Sequence, residues 1–159
     1  MAEPEREILT WERFGAAGRE LAHVIHESGF RPDLVLAIAR GGLLFAGSLA
    51  YALGVKACDA LNVEFYTGVG QTLDEPIVLP PLIDIEAARG RVLLVDDVAD
   101  SGKTLRLAVD LVADLGAEVR SAVLYTKPTT IIEPDYSWGR TDRWITFPWS
   151  ALPPVGEGA

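Results

Sequence analysis

Apolar positions along this chain follow two alternating rhythms, one of helical spacing and one of short continuous runs. Over 11–28, Phe14, Ala17, Leu21, Val24 and Ile25 recur on one side of a 3.6-residue repeat, which predicts a helix with a single apolar face. Thr10 stands where an N-cap belongs and Gly29 where such a helix stops. Asp33 to Ala39 is a nearly unbroken apolar run, as expected of a strand covered on both faces. After Gly41-Gly42, Leu43 to Leu53 reads as a second helix ended by Gly54. The alternation repeats, with strands at Ala60–Tyr66 and Arg91–Val95, a helix at Leu105–Leu115 stopped by Gly116, then strands at Ser121–Thr126 and Arg143–Phe147.

Strands alternating with helices imply an α/β domain with a mainly parallel sheet and right-handed crossovers. In such sheets ligands bind beyond the carboxyl ends of the strands. That rule marks three places, after Ala39, after Val95 and after Thr126. At 159 residues one domain, 1–159, is the expectation. The segment 67–85 breaks the rhythm: it holds Pro76, Pro80 and Pro81 and little periodicity, and reads as a long functional loop.

Charge and composition narrow the function. A formal net charge of −9 argues against broad nucleic-acid binding, which needs clustered Lys and Arg. No apolar run approaches the roughly 18 residues of a membrane helix, and the charged start Met1–Glu7 lacks a secretory pattern, so a cytoplasmic protein is expected. The single cysteine, Cys58, excludes an internal disulfide and is expected to be a small buried hydrophobe. His23 and His26 share a helix but have no third ligand nearby, which favours a surface helix over a metal site.

The first strand end to carry unusual chemistry is Asp96-Asp97-Val98-Ala99-Asp100-Ser101-Gly102-Lys103-Thr104. Two adjacent carboxylates at the end of an apolar strand are costly unless they meet a metal or hydrogen-bond donors. Behind them, small and hydroxyl residues open a helix, where free N–H groups and the dipole favour an anion. Gly102-Lys103-Thr104 copies the end of a nucleotide-binding P-loop, but Asp97 occupies the position of its first glycine, and its carboxylate would repel phosphate. A solvated loop that merely caps the helix is the plain alternative. At the other two ends, Arg40-Gly41-Gly42 is either an ordinary turn or an oxyanion cradle, and Lys127 is either solvated or aimed at a ligand. The aromatic run around Trp144 and Trp149 could seal the core or an interface, or stack on a planar base.

Val92 to Thr104 resembles the phosphoribosyl pyrophosphate (PRPP) signature of type I phosphoribosyltransferases: four apolar residues, two acids, two small or apolar residues, then a hydroxyl- and glycine-containing loop. The resemblance implies a Rossmann-like fold with a small C-terminal hood (about 128–152), a flexible active-site loop (about 67–85), a bound Mg²⁺ and, by the family's habit, a homodimer or higher homo-oligomer. It places Asp96 and Asp97 on the ribose hydroxyls and the metal. Asp100, Ser101, Gly102, Lys103 and Thr104 fall on the 5′-phosphate, with Asp100 also near the base. Arg40, Gly41 and Gly42 fall on the pyrophosphate. Lys127, Trp144 and Ile145 resemble the base-binding residues of the 6-oxopurine branch, the xanthine–guanine and hypoxanthine enzymes. The implied reaction transfers phosphoribose from PRPP to such a base, with Arg40 and Asp100 in the catalytic roles. Another acceptor base, or a non-catalytic PRPP or nucleotide sensor, remains open from the residues alone. Tyr66 and Thr67 stand as hinge residues of the loop, and Tyr136, Trp138 and the apolar stretch 77–83 are expected to be exposed.

Overall fold

The computed structural model describes residues 2–68, 71–78 and 89–157, with only the backbone of 64–68 and 71–78 described. In chain order the elements are β1 (Arg6–Ile8), α1 (Trp11–Glu27), β2 (Leu34–Ala39), α2 (Gly42–Leu53), β3 (Cys58–Gly68) and β4 (Gln71–Val78). Then follow β5 (Arg91–Ala99), α3 (Lys103–Asp114), β6 (Glu118–Thr126), β7 (Tyr136–Arg140), β8 (Trp144–Thr146) and a 3₁₀ turn at Pro148–Ser150.

Six strands form one sheet in the order β4-β3-β2-β5-β6-β7, parallel except for the β3–β4 pair. The buried runs of β2 and β5 send alternate residues to opposite faces. Val35, Ala37, Leu93 and Val95 pack with Phe14, Leu21, Ile25, Phe45 and Leu49 of α1 and α2. Leu34, Leu36, Val92 and Leu94 pack instead with Leu105, Ala108 and Val112 of α3. Thr10 Oγ1 accepts from Arg13 N at 3.2 Å and caps α1 as expected. Val24 departs from the predicted face: it is half exposed, because it lies on the flank of a stripe centred on Ala17, Gly18, Leu21 and Ile25.

β2, β5 and β6 are neighbours, so the three marked strand ends lie side by side. Crossovers leave β2 toward β3 and β5 toward β6, in opposite directions across the sheet, which makes the β2/β5 boundary its switch point. β5 runs four residues past the predicted Val95, because β6 continues beside it and pairs Asp96 with Val123, Val98 with Tyr125 and Ala99 with Thr126.

Three strands, β1, β4 and β7, escaped the sequence pattern. β1 is a three-residue strand with two charged residues, held by parallel pairing with β8. β7 contains Gly139, whose missing side chain is covered by the ring of its register partner Tyr125. Pairing of β7 also corrects the expectation for Tyr136, which is buried; its hydroxyl meets Ser28 Oγ at 2.7 Å and accepts from Arg120 Nη1 at 2.9 Å. Trp138 is half-buried, with its indole N–H donating to Glu20 at 2.7 Å. Cys58 is exposed rather than buried, since among the described residues β4 pairs with β3 only from Val63 onward and no strand covers the outer side of the start of β3. The expected loop over 67–85 is in its first part the β3–β4 hairpin, with Pro76 on the edge strand where no further ladder is needed. Residues 79–85 of that loop, most of the 77–83 stretch and the side chains of Tyr66 and Thr67 lie outside the described residues. No helix among the described residues is long and apolar enough to cross a membrane.

Packing at α2 gives a stability test. A Cβ on Gly42 would strike the Val95 carbonyl oxygen and approach Asp96 Cα to 3.0 Å, both fixed backbone, whereas one on Gly47 would meet nothing within 4 Å. Gly42→Ala is therefore expected to lower stability by about 1–3 kcal/mol. Gly47→Ala should raise it by up to about 1 kcal/mol through helix propensity. Urea unfolding of the two variants checks both signs.

Candidate active site

Asp96 and Asp97 are set by β5 at the switch point, among apolar neighbours. Asp96 is only 8% exposed and Asp97 somewhat more. Each turns one oxygen back to the chain: Asp97 N donates to Asp96 Oδ1 and Val98 N to Asp97 Oδ1, both at 2.8 Å. Burial raises the carboxyl pKa of both, well above the ordinary range for Asp96, where the neighbouring Asp97 charge adds to the effect. Left alone, the pair is an expensive arrangement, and hydroxyl donors or a cation would relieve it. Among the described residues no third His, Cys, Asp or Glu joins them to make a metal cluster. The pair suits Mg²⁺, which takes one or two carboxylates and fills its other positions with ligand oxygens and water.

The Arg40-Gly41-Gly42 turn is packed directly on this pair. A side chain on Gly41 would collide with the Asp97 carboxylate, and one on Gly42 with the β5 backbone. The Ala39–Arg40 peptide is cis. Gly42 is already the first residue of α2, so the turn and a helix N-terminus coincide. Arg40 is exposed, and its side chain makes no hydrogen bond or ion pair among the described residues.

Beyond β5, Gly102 takes the left-handed conformation (φ 79°) at the N-cap of α3 and contributes no side-chain cap. Ser101 Oγ accepts from Lys103 N at 3.3 Å, so part of the plain capping reading holds. Lys103 and Thr104 lie on the first helical turn rather than in a loop. Residues 129–131 buttress the turn: Thr129 Oγ1 donates to the Asp100 carbonyl at 3.1 Å and Ile131 N to the Ser101 carbonyl at 2.9 Å. A Cβ on Gly102 would run into Thr130 Oγ1.

Lys127 follows β6 directly and is tied to the β5 end by its N–H, which donates to the Ala99 carbonyl at 2.9 Å. Its side chain is 13% exposed; Nζ lies 3.8 Å from Asp100 Oδ2 and 5.6 Å from the centre of the Trp144 ring. Asp100, Lys127, Val98, Trp144, Ile145 and Phe147 wall a cavity of about 350 Å³. Trp144 presents its ring there at 65% exposure, while the Ile145 side chain is buried. A second cavity of about 940 Å³ adjoins it through Phe147, Ser150 and Ala151 and reaches Arg40, Gly41 and Asp97. The structure thus brings Lys127, Trp144, Ile145 and Asp100 to one cavity and Arg40, Gly41 and Asp97 to its neighbour.

Sequence reasoning missed Arg6, which also lines the smaller cavity. β1 delivers it by pairing with β8, and no pattern in a three-residue strand announces that contact. The same pairing sends Glu7 inward, where it accepts from the Tyr125 hydroxyl at 3.4 Å. Burial, followed by the Glu7 charge, pushes that phenol up to about 12.

The phosphoribosyl transferase domain matches residues 5–153, and the chain belongs to that family. It is 31% identical to the xanthine-guanine phosphoribosyltransferase of Gluconobacter oxydans (strain 621H) over 147 residues, 91% of this chain and 84% of that one. Among solved structures it resembles the purine phosphoribosyltransferase from Pyrococcus horikoshii Ot3 at 37% identity, TM-score 0.80, covering 94% of this chain and 97% of the other. A Neisseria gonorrhoeae protein crystallised with bound ppGpp is 26% identical at TM-score 0.79, with 96% and 93% covered. The fold is that of the type I phosphoribosyltransferases, and the protein is a phosphoribosyltransferase enzyme.

The buried acid pair makes a test by pH. An acid whose folded pKa is raised costs stability above that pKa, and the cost disappears as pH falls toward its ordinary value near 4. Asp96→Asn keeps the oxygen that accepts from Asp97 N and removes the charge. It is expected to raise the thermal midpoint at neutral pH, with the gain shrinking toward about pH 4. Calorimetry across that range checks the sign.

Proposed function

We propose that this enzyme transfers the 5-phosphoribosyl group from PRPP to a 6-oxopurine (hypoxanthine, guanine or xanthine), releasing pyrophosphate in purine salvage. The observation that carries the reading is Lys127, largely buried beside the Trp144 ring in a cavity that adjoins the one reaching Arg40 and Asp97. An ammonium group donates only, so it pairs with a 6-oxygen and not with the 6-amino group of adenine. Trp144 supplies a stacking face and the Ile145 backbone a polar edge. Residues 128–152, joined by β1, serve as the hood over the base in a single domain, and 67–85 as the closing loop. Cytoplasmic location and a homodimeric or larger assembly belong to the same reading, by likeness to the 6-oxopurine branch.

The chain's own groups divide the work. Asp96 and Asp97 accept from the ribose hydroxyls and would hold Mg²⁺, which when bound would neutralise pyrophosphate charge. The turn Asp100–Thr104 and the N-terminus of α3 hold the 5′-phosphate. Arg40, with the Gly41 and Gly42 amides, binds the leaving pyrophosphate. Asp100, beside Lys127, accepts the proton of the base nitrogen that attacks the anomeric carbon. Most of the rate comes from holding the two reactants in line and stabilising charge on the leaving group.

Pyrophosphate release from PRPP and Mg²⁺ with a panel of bases tests this. The expected result is release with one or more 6-oxopurines and none with adenine, uracil or orotate. Lys127→Ala should lower kcat/KM for hypoxanthine by roughly 100-fold. Asp100→Ala should lower kcat by roughly 10²–10⁴-fold, and near-normal turnover would remove it from the chemistry. The Neisseria protein with bound ppGpp favours one second reading, a purine-nucleotide sensor on the same fold. That reading predicts PRPP or nucleotide binding with no release on any base.

A further inference from the structure

β1 and β8 are parallel, with Arg6 opposite Trp144, Glu7 opposite Ile145 and Ile8 opposite Thr146. Register partners in adjacent strands point to the same side, and successive residues to opposite sides. Glu7 faces inward to Tyr125, and Ile145 is buried with it. Arg6 therefore stands on the Trp144 side, and both line the smaller cavity with Lys127.

The charges around that cavity do not cancel. Three lining residues are charged, Arg6, Lys127 and Asp100. Lys127 and Asp100 face each other at 3.8 Å, while Arg6 has no ion pair or hydrogen bond among the described residues. Nearby Arg143 is occupied by Glu5 at 2.6 Å. The cavity thus carries one uncompensated guanidinium, next to the ring on which the base stacks.

We propose that Arg6, carried to the base cavity by the β1–β8 pairing, is a specificity-determining residue that favours acceptor purines with a second carbonyl and anionic character, the 2,6-dioxopurine class. This rests on the 6-oxopurine reading of the same cavity. A guanidinium prefers carbonyl oxygens and delocalised anions, and gains nothing from a bare C–H edge. Xanthine carries both carbonyls, and they make its ring N–H acidic enough for a substantial anionic fraction near neutral pH. Hypoxanthine has a hydrogen at the 2-position and stays neutral.

Steady-state kinetics of Arg6→Gln, Arg6→Ala and Arg6→Lys with xanthine and with hypoxanthine, at saturating PRPP and Mg²⁺, test the proposal. The Gln and Ala variants are expected to lose about tenfold or more in kcat/KM for xanthine. They should change by less than about twofold for hypoxanthine and in KM for PRPP, with the Lys variant between them and the parent. Arg6 is exposed, so thermal midpoints should match the parent and exclude misfolding as the cause. Equal losses on both bases, or no loss on xanthine, would overturn the role of Arg6 and leave the 6-oxopurine assignment standing. Failure of the parent enzyme to use any 6-oxopurine would overturn both.

Discussion

Everything at the ligand end of this sheet follows from two neighbouring carboxylates carried on a strand that is otherwise apolar and covered on both faces. Burial holds Asp96 and Asp97 away from water and disfavours their charge. Among the described residues the pair receives two backbone N–H groups and no side-chain cation. A polyol or a divalent ion placed there would offset that cost. The glycines of the neighbouring turn are a consequence: the acids can sit at the switch point only if the chain after β2 passes them without side chains.

Much of this was legible in the residues. The apolar runs of β2, β5 and β6 are buried on both faces, and continuous hydrophobicity is what such strands require. Gly54 stops its helix in the left-handed conformation, and Gly29 and Gly116 follow theirs with positive φ, which only glycine adopts freely. The acid pair and the Arg-Gly-Gly turn were visible because each breaks a local rule in a place where breaking it is costly. Their side-by-side placement followed from sheet order, which the alternation of elements implied but did not itself specify.

What stayed hidden shares one physical cause. β1, β7 and the exposure of Cys58 depend on which strand lies alongside, and no local periodicity encodes a neighbour. Three residues reading Arg-Glu-Ile form a strand only because Trp144-Ile145-Thr146 is there to pair. Tyr-Ser-Trp-Gly-Arg becomes an edge strand because Tyr125 fills the space beside its glycine. Val24 fails for a related reason, since amphipathic spacing marks a face but the packing partner decides its width.

The pairing of β1 with β8 also has a temporal side. A ribosome releases residues 6–8 well before residues 144–146, so β1 stays without its partner strand while the strands of the six-stranded sheet emerge. Closing so long a loop is entropically costly, and the reward arrives only after the rest of the sheet is in place. Among the described strand pairs, β1–β8 is the one whose partners lie farthest apart along the chain. A molecule that lost this pair alone would keep the ends of β2, β5 and β6 together after Arg6 and Trp144 had parted.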